Sequence, residues 1–132
     1  MIVRTKFLLV EDDPHDVALV SMAFQDPSHE LHVVCDDRHA IRYLSGTGIY
    51  SDRQQFPLPH VILLDLKMPR VNGLEFLKWL RHKSPGSLSL LPVVMISTSG
   101  EPADVKLTHD LGVNCFLTKP FSWNEFQERM KA

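Results

Sequence analysis

The sequence predicts an α/β domain in three layers, with a five-stranded parallel sheet between helices. Three observations predict it. Short apolar runs alternate with stretches of helical period. Each run ends on polar or charged residues that open a loop. The middle run, Val61-Ile62-Leu63-Leu64, is apolar without alternation, as a central parallel strand covered on both faces requires. The 132 residues fit one domain, 1–132, and a hydrophobic share of 44% supplies a single core. Alternating strands and helices imply βαβ units with right-handed crossovers.

The first strand is expected over Lys6–Glu11. Asp13 is placed to cap the following helix, with Pro14 at its first position, where a missing N–H costs nothing. Val17, Val20 and Phe24 then share a face, and Asp26-Pro27-Ser28 breaks the helix. Leu31–Cys35 reads as the second strand, and Asp37 as the cap of a short helix through Ala40, Ile41 and Leu44. Gly46–Pro59, with two glycines and two prolines, has no steady period. His60–Asp65 is the third strand. Asn72 is expected to cap a third helix carrying Phe76, Leu77 and Leu80, which Ser84-Pro85-Gly86 ends. Pro92–Ser97 is the fourth strand. Gly100 and Pro102 open a fourth helix with Leu107 and Leu111 on one side and Gly112 at its stop. Asn114–Thr118 is the fifth strand. Ser122 and Glu125 have capping-box spacing for a fifth helix that places Phe126 and Met130 on one face, with Trp123 expected to pack beside them in the core.

The formal charge of -2 and the lack of a basic stripe argue against nucleic acid as a partner. No apolar run is long enough to cross a bilayer. The start lacks the apolar stretch of a signal peptide, so a cytoplasmic protein is expected. Cys35 and Cys115 lie in apolar runs and read as reduced core thiols. The seven histidines read as scattered surface residues without metal-ligand spacing.

Open parallel sheets bind ligands beyond the carboxyl ends of their strands, where strand order reverses. In the flavodoxin-like order 2-1-3-4-5, the first and third strands flank that point. They end in Glu11-Asp12-Asp13 and in Asp65, and the fifth strand ends in Lys119-Pro120. Converging carboxylates repel one another, and their hard oxygens suit Mg²⁺, which takes one or two carboxylates plus phosphate oxygens. The lysine opposite them suits a phosphoryl group as a point charge. Acids at helix starts also serve as plain caps, and Asp13 is read as one. Met68-Pro69 and Asn72-Gly73 impose a tight loop behind Asp65. A hydroxyl from Ser97 reaches a phosphoryl oxygen in this reading, while Thr98 begins the next turn. The constellation points to transient phosphorylation of Asp65.

Four segments in order carry a family resemblance: Leu8-Leu9-Val10-Glu11-Asp12-Asp13, Leu63-Leu64-Asp65-Leu66-Lys67-Met68-Pro69, Pro92-Val93-Val94-Met95-Ile96-Ser97 and Leu117-Thr118-Lys119-Pro120-Phe121. Almost the whole chain resembles a receiver domain of the two-component response regulators, of the chemotaxis-regulator type. The resemblance implies that Asp65 is the phosphoacceptor. It implies that Asp12 binds Mg²⁺ directly, that Glu11 assists through water, and that Lys67 offers its backbone carbonyl. It also gives Ser97 and Lys119 the phosphoryl oxygens and makes Phe116 the switch aromatic. Two features depart from the usual pattern. Thr98 stands where a small residue is usual, and its bulk is expected to slow access to the phosphoryl group. The segment Gly46–Pro59 is long. With Asn114-Cys115, that length is similar to the small regulators that partner bacterial phytochrome kinases.

The implied partner is a sensor histidine kinase or a phosphotransfer protein. Phosphorylation would switch the face made by the fourth helix, fifth strand and fifth helix for partner binding or homodimerisation. The chain would not be an enzyme beyond phosphorylating itself from small donors and slowly losing the group. A haloacid-dehalogenase phosphatase would want an acid two residues after Asp65, where Lys67 stands. A flavodoxin-like cofactor binder would want Ser, Thr and Gly after the first strand, where acids stand. A receiver-like scaffold that is never phosphorylated is the remaining alternative.

Overall fold

The structure is a computed structural model. It describes residues 4–65, 70–97, 110, 112–118 and 120–131, the side chains of residues 70–74, 97 and 131 excepted. The strands are β1 (Thr5–Val10), β2 (His29–Val34), β3 (Val61–Asp65), β4 (Val93–Ser97) and β5 (Cys115–Thr118). The helices are α1 (Pro14–Met22), α2 (Asp37–Ser45), α3 (Arg70–His82) and α4 (Trp123–Lys131). All strand pairs are parallel and the sheet order is β2-β1-β3-β4-β5. This is the predicted flavodoxin-like order. Of the helix expected to run from Pro102 to Leu111, only Asp110 lies among the described residues.

The period of two in the strands sorts side chains into two cores. Leu8, Val10, Ile62, Leu64, Val93 and Met95 face α2 and α3, which contribute Tyr43, Leu44, Phe76, Leu77 and Leu80. Phe7, Leu9, Leu63, Val94 and Ile96 face the other way, against Val20 and Phe24 from the α1 side and Phe126 of α4. Every residue of β3 is buried, which explains its unbroken apolar run. Trp123 packs in the second core as expected. Its ring stacks on Phe126 at 5.3 Å and lies 4.0 Å from the His29 ring.

The caps bear out part of the reading. Asp13 is extended and accepts a hydrogen bond from the N–H of His15 at 2.8 Å, with Pro14 opening α1. In α4, Glu125 N–H donates to Ser122 Oγ at 3.1 Å while Ser122 N–H donates to Glu125 Oε1 at 3.4 Å, which is the capping box. Two expected caps are displaced. The cap of α2 is Asp36 rather than Asp37: Asp36 is extended and its carboxylate accepts from His39 N–H at 2.8 Å, three residues on, whereas Asp37 is already helical. Helix α3 begins at Arg70, so Asn72 lies inside it.

Residues 46–59 are ordered by specific anchors. Gly46 ends α2 with φ 69°, and a Cβ there would meet the Arg53 guanidinium at 2.8 Å. Arg53 donates to the carbonyls of Tyr43 (2.7 Å), Leu44 (2.8 Å) and Phe56 (3.2 Å), and the first two belong to the last turn of α2, where i+4 donors run out. A 3₁₀ turn, Gly48–Tyr50, buries Tyr50 against Tyr43 and Phe56.

Candidate functional site

Strand register builds the site. Val10 pairs with Leu64 across β1 and β3, so Glu11 and Asp65 stand side by side at the carboxyl rim of the sheet. Alternation gives both residues the parity of Leu9 and Leu63, on the α1 side. Asp16, in the first turn of α1, meets them there. One carboxylate oxygen from each of Glu11, Asp16 and Asp65 lies within 4.8 Å of the others. All three residues are buried, with exposures of 2%, 7% and 1%. Glu11 is fixed by its backbone, whose N–H donates to Val34 carbonyl at 2.9 Å, and its Oε2 accepts from Asp13 N–H at 3.2 Å.

Asp12 has the opposite parity. It is exposed and does not belong to this group. Asp16 was missed by the sequence reading, although a signal for it existed. It precedes Val20 and Phe24 by one and two turns, so an acid begins the stripe that the helix buries. Lys67, Thr98 and Lys119 lie outside the described residues. Ser97 is placed at the end of β4, paired with Thr118, but its side chain is not described. Phe116 is half-buried on β5 and packs against the core on the α2 and α3 side.

Three buried carboxylates with converging oxygens form an all-oxygen, strongly anionic donor set. That set fits a hard divalent cation and repels an anion that arrives without one.

A receiver-domain model of the response regulators matches residues 7–131. This chain belongs to the response-regulator receiver family. The receiver is 37% identical to the response regulator Rcp1 of Synechocystis sp. over 114 residues, covering 85% of this chain and 74% of Rcp1. A Mn²⁺-bound structure of Rcp1 matches it with a TM-score of 0.73 at 33% identity, covering 96% of this chain and 90% of that one. The bacteriophytochrome response regulator AtBRR matches with a TM-score of 0.80 at 37% identity over 97% of this chain and 91% of AtBRR. The phosphorylated cyanobacterial phytochrome response regulator RcpA gives 0.77 at 34% identity, covering 98% and 91%. Other relatives are longer. The receiver spans 45% of the transcriptional regulatory protein TcrA of Mycobacterium tuberculosis. Among the described residues no helix is long and apolar enough to cross a membrane.

Proposed function

We propose that this receiver takes a phosphoryl group onto Asp65 from the phosphohistidine of a sensor kinase or phosphotransfer protein, with Mg²⁺ in the adjoining acidic pocket. The observation that carries the proposal is the buried convergence of Glu11, Asp16 and Asp65 at the carboxyl ends of β1 and β3. In the reaction a carboxylate oxygen of Asp65 attacks phosphorus in line. The Oδ–P bond forms as the N–P bond of the donor breaks, and the departing imidazole keeps the electron pair and takes up a proton. Glu11, Asp16 and Asp65 would line the metal's pocket, and Asp12, exposed and next to Glu11 in the chain, is assigned to the same metal with the Lys67 carbonyl. Bound Mg²⁺ would supply positive charge against the phosphoryl oxygens. Lys119 pairs with the same oxygens and Ser97 donates a hydrogen bond to one of them. Water bounded by this set later hydrolyses the acyl phosphate, which accounts for slow self-dephosphorylation.

The product adds charge and acceptor oxygens at the rim. Ser97 moves towards them, and Phe116 follows. The face built from the segment before β5, β5 itself and α4 then changes its affinity for a partner or a second copy. Such a receiver works in the cytoplasm, and residues 1–132 are read as one domain. Likeness to Rcp1, AtBRR and RcpA favours a phytochrome-type kinase as donor.

The test is incubation with acetyl phosphate and Mg²⁺, followed by intact-mass measurement of the parent and of Asp65→Asn. The expected result is one phosphoryl group on the parent and none on the variant. Equal labelling of both, or none on either, contradicts the proposal, and absence from both favours the scaffold reading.

A further inference from the structure

Beside the acidic pocket, the same rim of the sheet carries a second cluster, of different chemistry. Cys35 leaves β2 one residue after Val34, which pairs with Val10. The sequence reading made Cys35 a core thiol, but its side chain is exposed and free. The reason is position: β2 is the sheet edge, and its Val33 is 43% exposed as well. Asp36, the cap of α2, and His39, in its first turn, stand beside the thiol. Cys35 Sγ lies 3.5 Å from His39 Nδ1, and His39 Nδ1 lies 2.8 Å from Asp36 Oδ1. One ligand atom from each of the three falls within 4.8 Å of the others. The histidines therefore do include one with metal-ligand spacing.

We propose that Cys35, Asp36 and His39 form a binding site for a borderline-soft divalent cation of the zinc class, distinct from the Mg²⁺ pocket. The sulfur–nitrogen separation carries the argument. Tetrahedral Zn–S and Zn–N bonds of about 2.3 and 2.0 Å place their two ligand atoms about 3.5 Å apart. That is the separation already present between Sγ and Nδ1. Asp36 is held in place because its Oδ1 accepts the backbone N–H of His39 at 2.8 Å, and the carboxylate offers a second oxygen. Its carboxyl sits below the usual carboxylate range. Partial burial pushes it up, but the hydrogen bonds from the His39 backbone and ring, with the charges of His39 and Arg38, outweigh that. The His39 ring is braced edge-on by Tyr50 at 6.5 Å. Three protein ligands leave a fourth position for water.

A thiolate, an imidazole and one carboxylate select zinc-class ions over Mg²⁺, which prefers oxygen alone. Ligation requires the sulfur and the Nδ1 atom without their protons. The site does not rest on the phosphorylation of Asp65.

Co²⁺ is the probe, added to the whole receiver in excess Mg²⁺. The expected result is one equivalent bound with thiolate-to-cobalt charge-transfer absorption, displaced by Zn²⁺. Cys35→Ser should abolish the band and His39→Ala should weaken binding, while Cys115→Ser and Asp65→Asn keep both. Because Cys35 is exposed, its substitution leaves the fold intact, which circular dichroism checks. No charge-transfer band in the parent overturns the site, and so does a band that survives Cys35→Ser.

Discussion

At the residue scale, the acidic pocket is a matter of parity. Glu11 and Asp65 follow the alternation of their strands to the α1 side, and Asp16 is the helix residue that meets them. Replacing Asp16 with Asn removes one charge from a buried all-oxygen donor set. Mg²⁺ affinity should then fall about tenfold, measured by calorimetric titration, with Asp65 still able to accept a phosphoryl group. Unchanged affinity would place Asp16 outside the metal's reach. A second prediction concerns Tyr43, which is 1% exposed and donates its hydroxyl to Pro57 carbonyl at 2.8 Å. Burial pushes its phenol from 10.0 up to about 12, against the smaller opposing charge of Arg53. The folded state therefore holds the proton more tightly than the unfolded chain. That stabilisation is complete below pH 10 and is lost as pH rises towards 12. In urea unfolding at neutral pH, Tyr43→Phe should cost about 1 kcal/mol. Between pH 10 and 12 the difference should shrink, because the variant has no proton to lose. A gap that widens over this range would contradict the assignment.

At the element scale, one side chain supplies three of the hydrogen bonds that hold residues 46–59 to the domain, beside the aromatic contacts of Tyr50 and Phe56. Arg53 reaches back to the last carbonyls of α2 and forward to Phe56. Arg53→Ala should destabilise the receiver by about 2 kcal/mol and speed amide exchange within 46–59, read by hydrogen–deuterium exchange. Exchange unchanged in that stretch would mean the aromatic contacts of Tyr50 and Phe56 suffice. Such anchors are not legible from a period. Gly46–Pro59 shows no period because its order comes from the Arg53 guanidinium and from aromatic packing. The strands were legible, since each apolar run stops where the chain leaves the core, although β1 and β2 begin earlier than their most apolar residues. The cap of α2 was misplaced by one residue because Asp36 and Asp37 are both good caps, and only φ and ψ tell them apart.

At the scale of the whole molecule, a parallel sheet with two covered faces has one rim where polar residues gather. The order of motifs along the chain was enough to place Asp65 and Glu11 on it. It did not point to Asp16, because its place in the pocket depends on which face of the sheet α1 covers. Nor did the sequence separate the exposed thiol at the edge strand from a core one, since Val34 beside Cys35 is buried while Cys35 is not. The rim would then serve two cations of different hardness, an oxygen pocket at its centre and a mixed sulfur, nitrogen and oxygen site at its edge. The central claim is that Asp65 carries the phosphoryl group. It is tested most directly by phosphorylating the receiver, reducing the acyl phosphate with borohydride and sequencing the peptides by tandem mass spectrometry. The account predicts homoserine at position 65 and at no other acid. Reduction at Glu11, Asp12 or Asp16 in its place, or phosphate retained on a histidine, would contradict it.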